Sequence, residues 1–347
     1  EVESLQLSEP VAAAWKQRLR YTRRTGMPTR PRRDYLQHLM QVRAFYLDIA
    51  EWAQQDPTWA QHAVACPIRR TELAGVAKQR HRTIAAVHQR IRERLPRLPV
   101  LVDTAHRHHR DRVQLLTATQ AAAVGEEFTH GGRGYRRTCR QRPGQENNQP
   151  ASARAEDLST GQTHDLLAEE DDAFWSWALI ETLRHTGVRL EELLELTHLA
   201  VIQHRLDDTG EVVPLLQILP SKTDEERLLL VSPELAAVLA TIISRLRGIG
   251  EGAVPITRRW DRHERTFSLA LPYLFQRRRG HRNSVIGVGA VQNLLNRTLD
   301  RAGLRDAAGD PMHFTPHDFR RIFATEAVTG GLPVHITAAL LGHKRIT

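Results

Sequence analysis

Apolar residues return every three to four positions through the segment Tyr35–Gln55, where Leu36, Leu39, Met40, Tyr46, Leu47 and Ala50 predict one face of a helix. Val42, Phe45 and Ile49 widen that face, and Arg43 interrupts it where an apolar residue is expected. A second helix is predicted over 78–95, with Ile84, Val87, His88 and Ile91 on one side and five arginines over the rest, before Pro96 and Pro99 stop it. A third runs over 101–124. Residues 1–142 therefore read as a basic, all-helical domain, with 128–140 as an exposed loop. Residues 143–165 turn to Pro, Gly, Gln, Asn, Ser and Thr and read as a linker. From 166 to 347 the pattern strengthens. Trp175, Leu179, Ile180 and Leu183 share a face of a helix over 173–185, with Trp177 near the core and Gly187 as the stop. A short helix follows over 190–196. Strands over 212–219 and 228–231 flank a polar turn, and helices follow over 233–247, over 289–302, and from Thr315 and Val334. The fold class expected is mainly α with a small β-sheet, α+β.

Composition sets the class of partner. The chain has 347 residues and a net charge of +9, and the charge is uneven. Residues 1–165 hold 27 Lys+Arg against 17 Asp+Glu, whereas 166–347 hold 22 against 23. A basic half beside a neutral one points to a polyanion, and nucleic acid is the natural candidate because no apolar run is long enough for a membrane span. On this reading Arg80, Arg82 and Arg90, with Arg136 and Arg137 in the glycine-containing loop and Arg277, Arg278 and Arg279 further on, are candidate contacts to DNA phosphates. His106, His108 and His109 beside Arg107 and Arg110 read as a solvated basic face, and no metal site is expected. Cys66 and Cys139 fit a reducing cytoplasm and cannot make a disulfide framework or a zinc site by themselves.

The candidate chemistry centres on Thr315-Pro316-His317-Asp318-Phe319-Arg320. Thr315 suits an N-cap, Pro316 the first helical position and Asp318 a capping box, so His317 and Arg320 share a face in the opening turns of a helix. Unpaired N–H groups and the helix dipole favour an anion there. Arg189 follows the Thr186-Gly187 break at the start of a helix anchored by Leu190, Leu193 and Leu194, and Glu192 can orient its guanidinium. Lys222, one of only four lysines, sits in the predicted turn between strands, and His343 follows Gly342. Two arginines suit the non-bridging oxygens of a phosphodiester passing through a pentavalent state, because the guanidinium binds them bidentately. Lys222 suits the general acid for the leaving 5′ oxygen, His317 the group that takes the attacking hydroxyl's proton, and His343 a donor to the phosphate.

Arg189 within TLRHTGVRLEELLEL, Lys222 within LPSKTDEERLLLV, then HDFRRIFAT and LLGHKRIT, resemble the tyrosine recombinase (phage integrase) family, in the family's order over roughly 170–347. The overall texture is similar to integrases of actinobacterial mobile elements. The resemblance implies a helical core-binding domain followed by a catalytic domain, and DNA strands cut and rejoined through a 3′-phosphotyrosine. It implies no cofactor or metal and, as partner, double-stranded DNA at a specific recombination site. It further implies a homo-oligomer, dimeric on one site and tetrameric in the synapse, and a cytoplasmic, nucleoid-associated bacterial protein. The family's attacking tyrosine stands about nine residues past the Gly-His motif. This chain has four residues after His343, and Tyr21, Tyr35, Tyr46, Tyr135 and Tyr273 all precede HDFR. The expectation is a sequence truncated before its nucleophile, able to bind DNA but inactive alone. Two other readings stay open: a non-catalytic DNA-binding subunit that retains the phosphate pocket, and a type IB topoisomerase.

Overall fold

The computed structural model describes residues 4–22, 30–32, 34–139, 153–205, 207–208, 210–219, 226–249, 251–261, 264–280 and 282–342. Contacts divide the chain into two units, Glu1–Gln89 and Arg90–Thr347.

The first unit contains α1 (Glu9–Leu19), α2 (Tyr35–Gln55) and most of α3 (Val76–Arg94). On α2 the predicted face is narrower than its apolar pattern: Leu39, Tyr46 and Ile49 are buried, while Met40, Phe45 and Leu47 are exposed. Arg43 breaks the stripe because its guanidinium donates to the carbonyl of buried Ile68 at 2.7 Å, satisfying a backbone acceptor that an apolar residue would leave unpaired. Tyr46 donates in the same way to the Leu5 carbonyl at 2.8 Å. Nothing on α3 is buried, so its apolar face of Ile84, Val87 and Ile91 is not a core face.

In the second unit, α4 (Leu98–Ala121) lies against α5 (Leu166–Thr186), the helix around which the main core is assembled. Trp175, Leu179, Ile180 and Leu183 are all buried, as the sequence pattern predicted, and Phe174, Trp177 and Ala178 are buried with them. The remaining helices are α6 (Leu190–Glu195), α7 (Pro233–Ile249), α8 (Val288–Ala302), α9 (Pro316–Thr329) and α10 (Val334–Leu340). An ionic network ties α5 to its neighbours. Arg245 of α7 grips Glu170 with two bonds of 2.7 Å and lies 4.1 Å from the centre of the Phe174 ring.

Residues 127–139 and 153–165 correct the sequence reading, while 143–152 of the predicted linker lie outside the described residues. Four antiparallel strands, Glu127–His130, Arg133–Thr138, Arg154–Asp157 and Thr163–Asp165, pair in that order, where a loop and a linker were expected within an all-helical half. Tyr135 and Ala155 point inward, onto Leu115, Ala153 and Leu166. The strands are short and every second residue is polar, so this small core leaves almost no apolar run to detect. The expected hairpin is present: Val212–Ile218 pairs antiparallel with Arg227–Leu230, and Val201–Arg205 adds a third strand on the far side. Its turn, with Lys222, lies outside the described residues.

The histidines of α4 are not a solvated face. His106 Nε2 is 2.8 Å from buried Glu181, His109 stacks on Trp177 at 5.2 Å, and the half-buried His108 is pushed down to about 4 by burial and by Arg301 and Arg112. His106 and His109 face α5, whose buried carboxylates need partners. No helix among the described residues is long and apolar enough to cross a membrane, and none of their His, Cys, Asp and Glu side chains form a group that could hold a metal ion.

Candidate functional site

The α5 helix ends at Gly187, in the left-handed conformation at φ 58°, and the chain turns directly into α6 with Arg189 as its N-cap. A Cβ at position 187 would lie 2.7 Å from Cδ1 of Phe323, so both the backbone angle and the space require glycine. Gly187→Ala is expected to destabilise the protein by about 2–4 kcal/mol, from left-handed strain plus overpacking, measurable as a shift in the urea midpoint.

Glu192 is the charge centre of this corner. It is 2% exposed, and its Oε1 accepts from Arg189 Nη1 at 2.6 Å while its Oε2 accepts the Arg189 backbone N–H at 2.8 Å. The same two oxygens accept both Nη groups of Arg227, the first residue of its strand and also buried. Burial alone would raise the Glu192 carboxyl. The hydrogen bonds from Arg227 and Arg189 outweigh that and hold it down at about 2.

The N-terminus of α9 is fixed by a second buried carboxylate. Asp318 accepts the Thr315 N–H and hydroxyl, each at 2.8 Å, and Arg90 Nη2 at 2.7 Å. Arg94 donates twice to the His313 carbonyl, at 2.9 and 2.6 Å. This arrangement sets His317 and Arg320 in place. Arg320 is 3% exposed; its Nη1 donates to the Gly187 carbonyl at 2.9 Å and its Nη2 to the Leu341 carbonyl. Burial, then the positive charges of Arg189 and Arg227, pull its guanidinium down to about 10, still protonated at neutral pH. Burial also lowers His317, helped by Arg321 and Arg320, so it is neutral above its ordinary range.

Arg189, His317 and Arg320 line one cleft of about 420 Å³ together with Val188, Leu190, Glu191, Val288, Thr315 and Pro316. Its walls come from the starts of α6, α8 and α9, the first and last of these more than a hundred residues apart in sequence. Two guanidiniums and a neutral imidazole around one opening make a binding place for a phosphate-sized anion with a proton acceptor beside it. His343 and Lys222 lie outside the described residues; of the expected set, Arg189, Glu192, His317 and Arg320 come together.

The phage integrase family model matches residues 157–347, which include the whole of this cleft. The chain belongs to the phage integrase family. Among solved structures this integrase-family chain is similar to XerA recombinase, at 19% identity and a TM-score of 0.35 over 50% of this chain and 49% of that one. It is similar to XerH site-specific recombinase bound to its difH substrate in a pre-cleavage complex, at 19% and 0.35 over 50% and 40%. It is also similar to the Tn1549 transposon integrase in complex with transposon right end DNA, at 14% and 0.33 over 51% and 56%. The chain thus spans about half the length of the solved structures it matches. No curated protein matches it.

Several arginines expected at DNA are used within this integrase fold. Arg90 holds Asp318, Arg136 pairs with Glu127 and Glu156, and Arg137 donates to the Gln120 and Ala122 carbonyls. Arg277 pairs with Asp171 and Asp172 at 2.6 and 2.7 Å. Carboxylates and the carbonyls at the end of α4 recruit a nearby guanidinium, and the sequence does not say which one that is. Arg80 and Arg82 are exposed on α3, and Arg278 donates to the Gly280 carbonyl beside Arg279 on the strand Gln276–Arg279. The site residue that the sequence reading missed is Arg227. Its signal was present: in the strand Arg227–Leu230 it falls on the same face as buried Leu229, a charge on an inward position.

Proposed function

We propose that this chain is part of a site-specific recombinase that cuts and rejoins double-stranded DNA by transesterification through a 3′-phosphotyrosine. The observation that carries the reading is the single cleft shared by Arg189, His317 and Arg320. The scissile phosphate would sit between the two guanidiniums, which neutralise the non-bridging oxygens as charge builds in the pentavalent state. A tyrosine hydroxyl would attack phosphorus while giving its proton to the neutral imidazole of His317. The bond from phosphorus to the 5′ oxygen would break, with Lys222 protonating the leaving oxygen and His343 donating to the phosphate, roles the family resemblance supports. The bond energy is kept in the phosphotyrosine, so the freed 5′ hydroxyl of a partner strand can reverse the step with no nucleotide cofactor. Arg80, Arg82, Arg278 and Arg279 are proposed backbone contacts that steer and hold the duplex. A dimer on each site and a tetramer in the synapse belong to the same proposal.

The test uses the protein expressed from its complete reading frame, together with residues 1–347 alone. Both are incubated with nicked duplexes carrying candidate recombination sites, so that cleavage releases a short fragment and traps the intermediate. A covalent protein–DNA adduct on a denaturing gel, lost on Arg189→Ala, is the expected result. Tight, site-specific binding by the complete protein with no adduct on any site would refute strand cleavage and leave a non-catalytic DNA-binding subunit.

A further inference from the structure

We infer that Arg227 is a positioning residue for the phosphate pocket: by sharing Glu192 with Arg189, it keeps the Arg189 guanidinium oriented while the three groups together keep a net positive charge beside the cleft. This inference rests on the recombinase reading. Arg227 is 9% exposed and does not line the cleft, so it acts through its neighbours. Both of its Nη groups bond the Glu192 carboxylate, one to each oxygen, and each of those oxygens also accepts one N–H from Arg189.

The charge balance explains the need for a second arginine. A lone Glu192–Arg189 pair would be neutral as a unit, and the guanidinium meant for phosphate would have its charge spent on the carboxylate. With Arg227 gripping the same carboxylate through a parallel fork, the three groups together carry one positive charge, and Arg320 adds another. Arg189 is attached to Glu192 through Nη1 and its own backbone, which fixes its direction. Arg227 also meets the turn that follows α10. Gly342, at φ 64°, approaches so closely that a Cβ there would lie 3.1 Å from Arg227 Nη1, and the preceding carbonyl, Leu341, accepts from Arg320. One buried guanidinium thus lies between the group that orients Arg189 and the turn that receives Arg320.

The experiment compares Arg227→Met and Arg227→Lys in the protein expressed from its complete reading frame. On saturating site DNA, Arg227→Met should lower the single-turnover cleavage rate about 100-fold while the DNA Kd changes less than about threefold. Arg227→Lys keeps the charge but not the fork, and should remain at least about tenfold slow. The side-chain N–H signal of Arg189, identified by its absence in Arg189→Lys, should shift in Arg227→Met without any DNA present. If Arg227→Met does not fold, Arg227→Met/Glu192→Gln removes both buried charges and takes its place, again with slow cleavage expected. Cleavage within about threefold of wild type, or full rescue by lysine, would overturn the inference. If wild type itself never cleaves, the recombinase reading fails; an unmoved Arg189 signal would then also refute the positioning, and a shifted one would retain it.

Discussion

Arg320→Ala is expected to lower the rate of DNA strand cleavage by about a thousandfold or more, the effect of deleting a preorganised cationic donor at a phosphoryl centre. The same substitution should lower stability, because Arg320 is both a pocket group and an internal tie. Its two Nη groups satisfy the carbonyls of Gly187 and Leu341, one at the end of α5 and the other at the end of α10. Losing it leaves two buried acceptors unpaired, at about 1–3 kcal/mol each. Part of that is offset because a buried charge that repels Arg189 and Arg227 is also removed. The expected net loss is about 2 kcal/mol, read from urea unfolding monitored by tryptophan fluorescence. DNA affinity should fall far less than the rate, since binding is spread over many basic residues. A variant that folded normally and yet lost all affinity for DNA would contradict that division of labour.

Glu192→Ala is expected to be the most destabilising single change in the pocket, by about 3–5 kcal/mol, because it leaves buried Arg227 without its counter-charge. For 347 residues at about 2.1 cal/mol/K each, the corresponding fall in Tm is roughly 4–7 °C. The effect has a defined pH dependence. Hydrogen bonds from Arg227 and Arg189 depress the Glu192 carboxyl to about 2 in the folded state, from an ordinary value of 4.5. The ionised pair therefore contributes fully above 4.5, and its contribution is lost as pH falls towards 2. Urea unfolding at pH 7 and pH 3 should show the gap between wild type and Glu192→Ala narrowing at the lower pH. A gap that stayed constant would mean that the carboxylate's charge is not what stabilises this corner.

Local signals carried much of this fold. The periodic apolar face on α5 and the residues Thr315, Pro316 and Asp318 at the start of α9 depend on neighbours one turn away, so a linear reading finds them. The same holds for Gly187, whose left-handed stop is a property of one residue. The pocket residues Arg189, His317 and Arg320 followed from these boundaries together with the order of the family motifs, and the cleft unites them.

Where charges end up was not legible in that way. Arg90 looked like a surface contact for phosphate, but it lies 228 positions from the carboxylate it bonds, and no local rule connects Arg90 to Asp318. Arg277 meets Asp171 and Asp172 across more than a hundred residues, and Arg227 meets Glu192 only because a strand edge lies beside α6. The sheet over 127–138 and 154–165 escaped notice for a related reason. Its strands are three to six residues long, and their stability comes from pairing and from Tyr135 and Ala155 meeting Leu115 and Leu166, not from any apolar run of their own. The main helices, their caps and the order of the chemical motifs were thus settled by short-range periodicity and backbone preference within the chain. The partner of each buried charge, and with it which arginines face the cleft and which hold the fold, came only with tertiary packing, because a desolvated carboxylate takes whichever guanidinium the fold brings near.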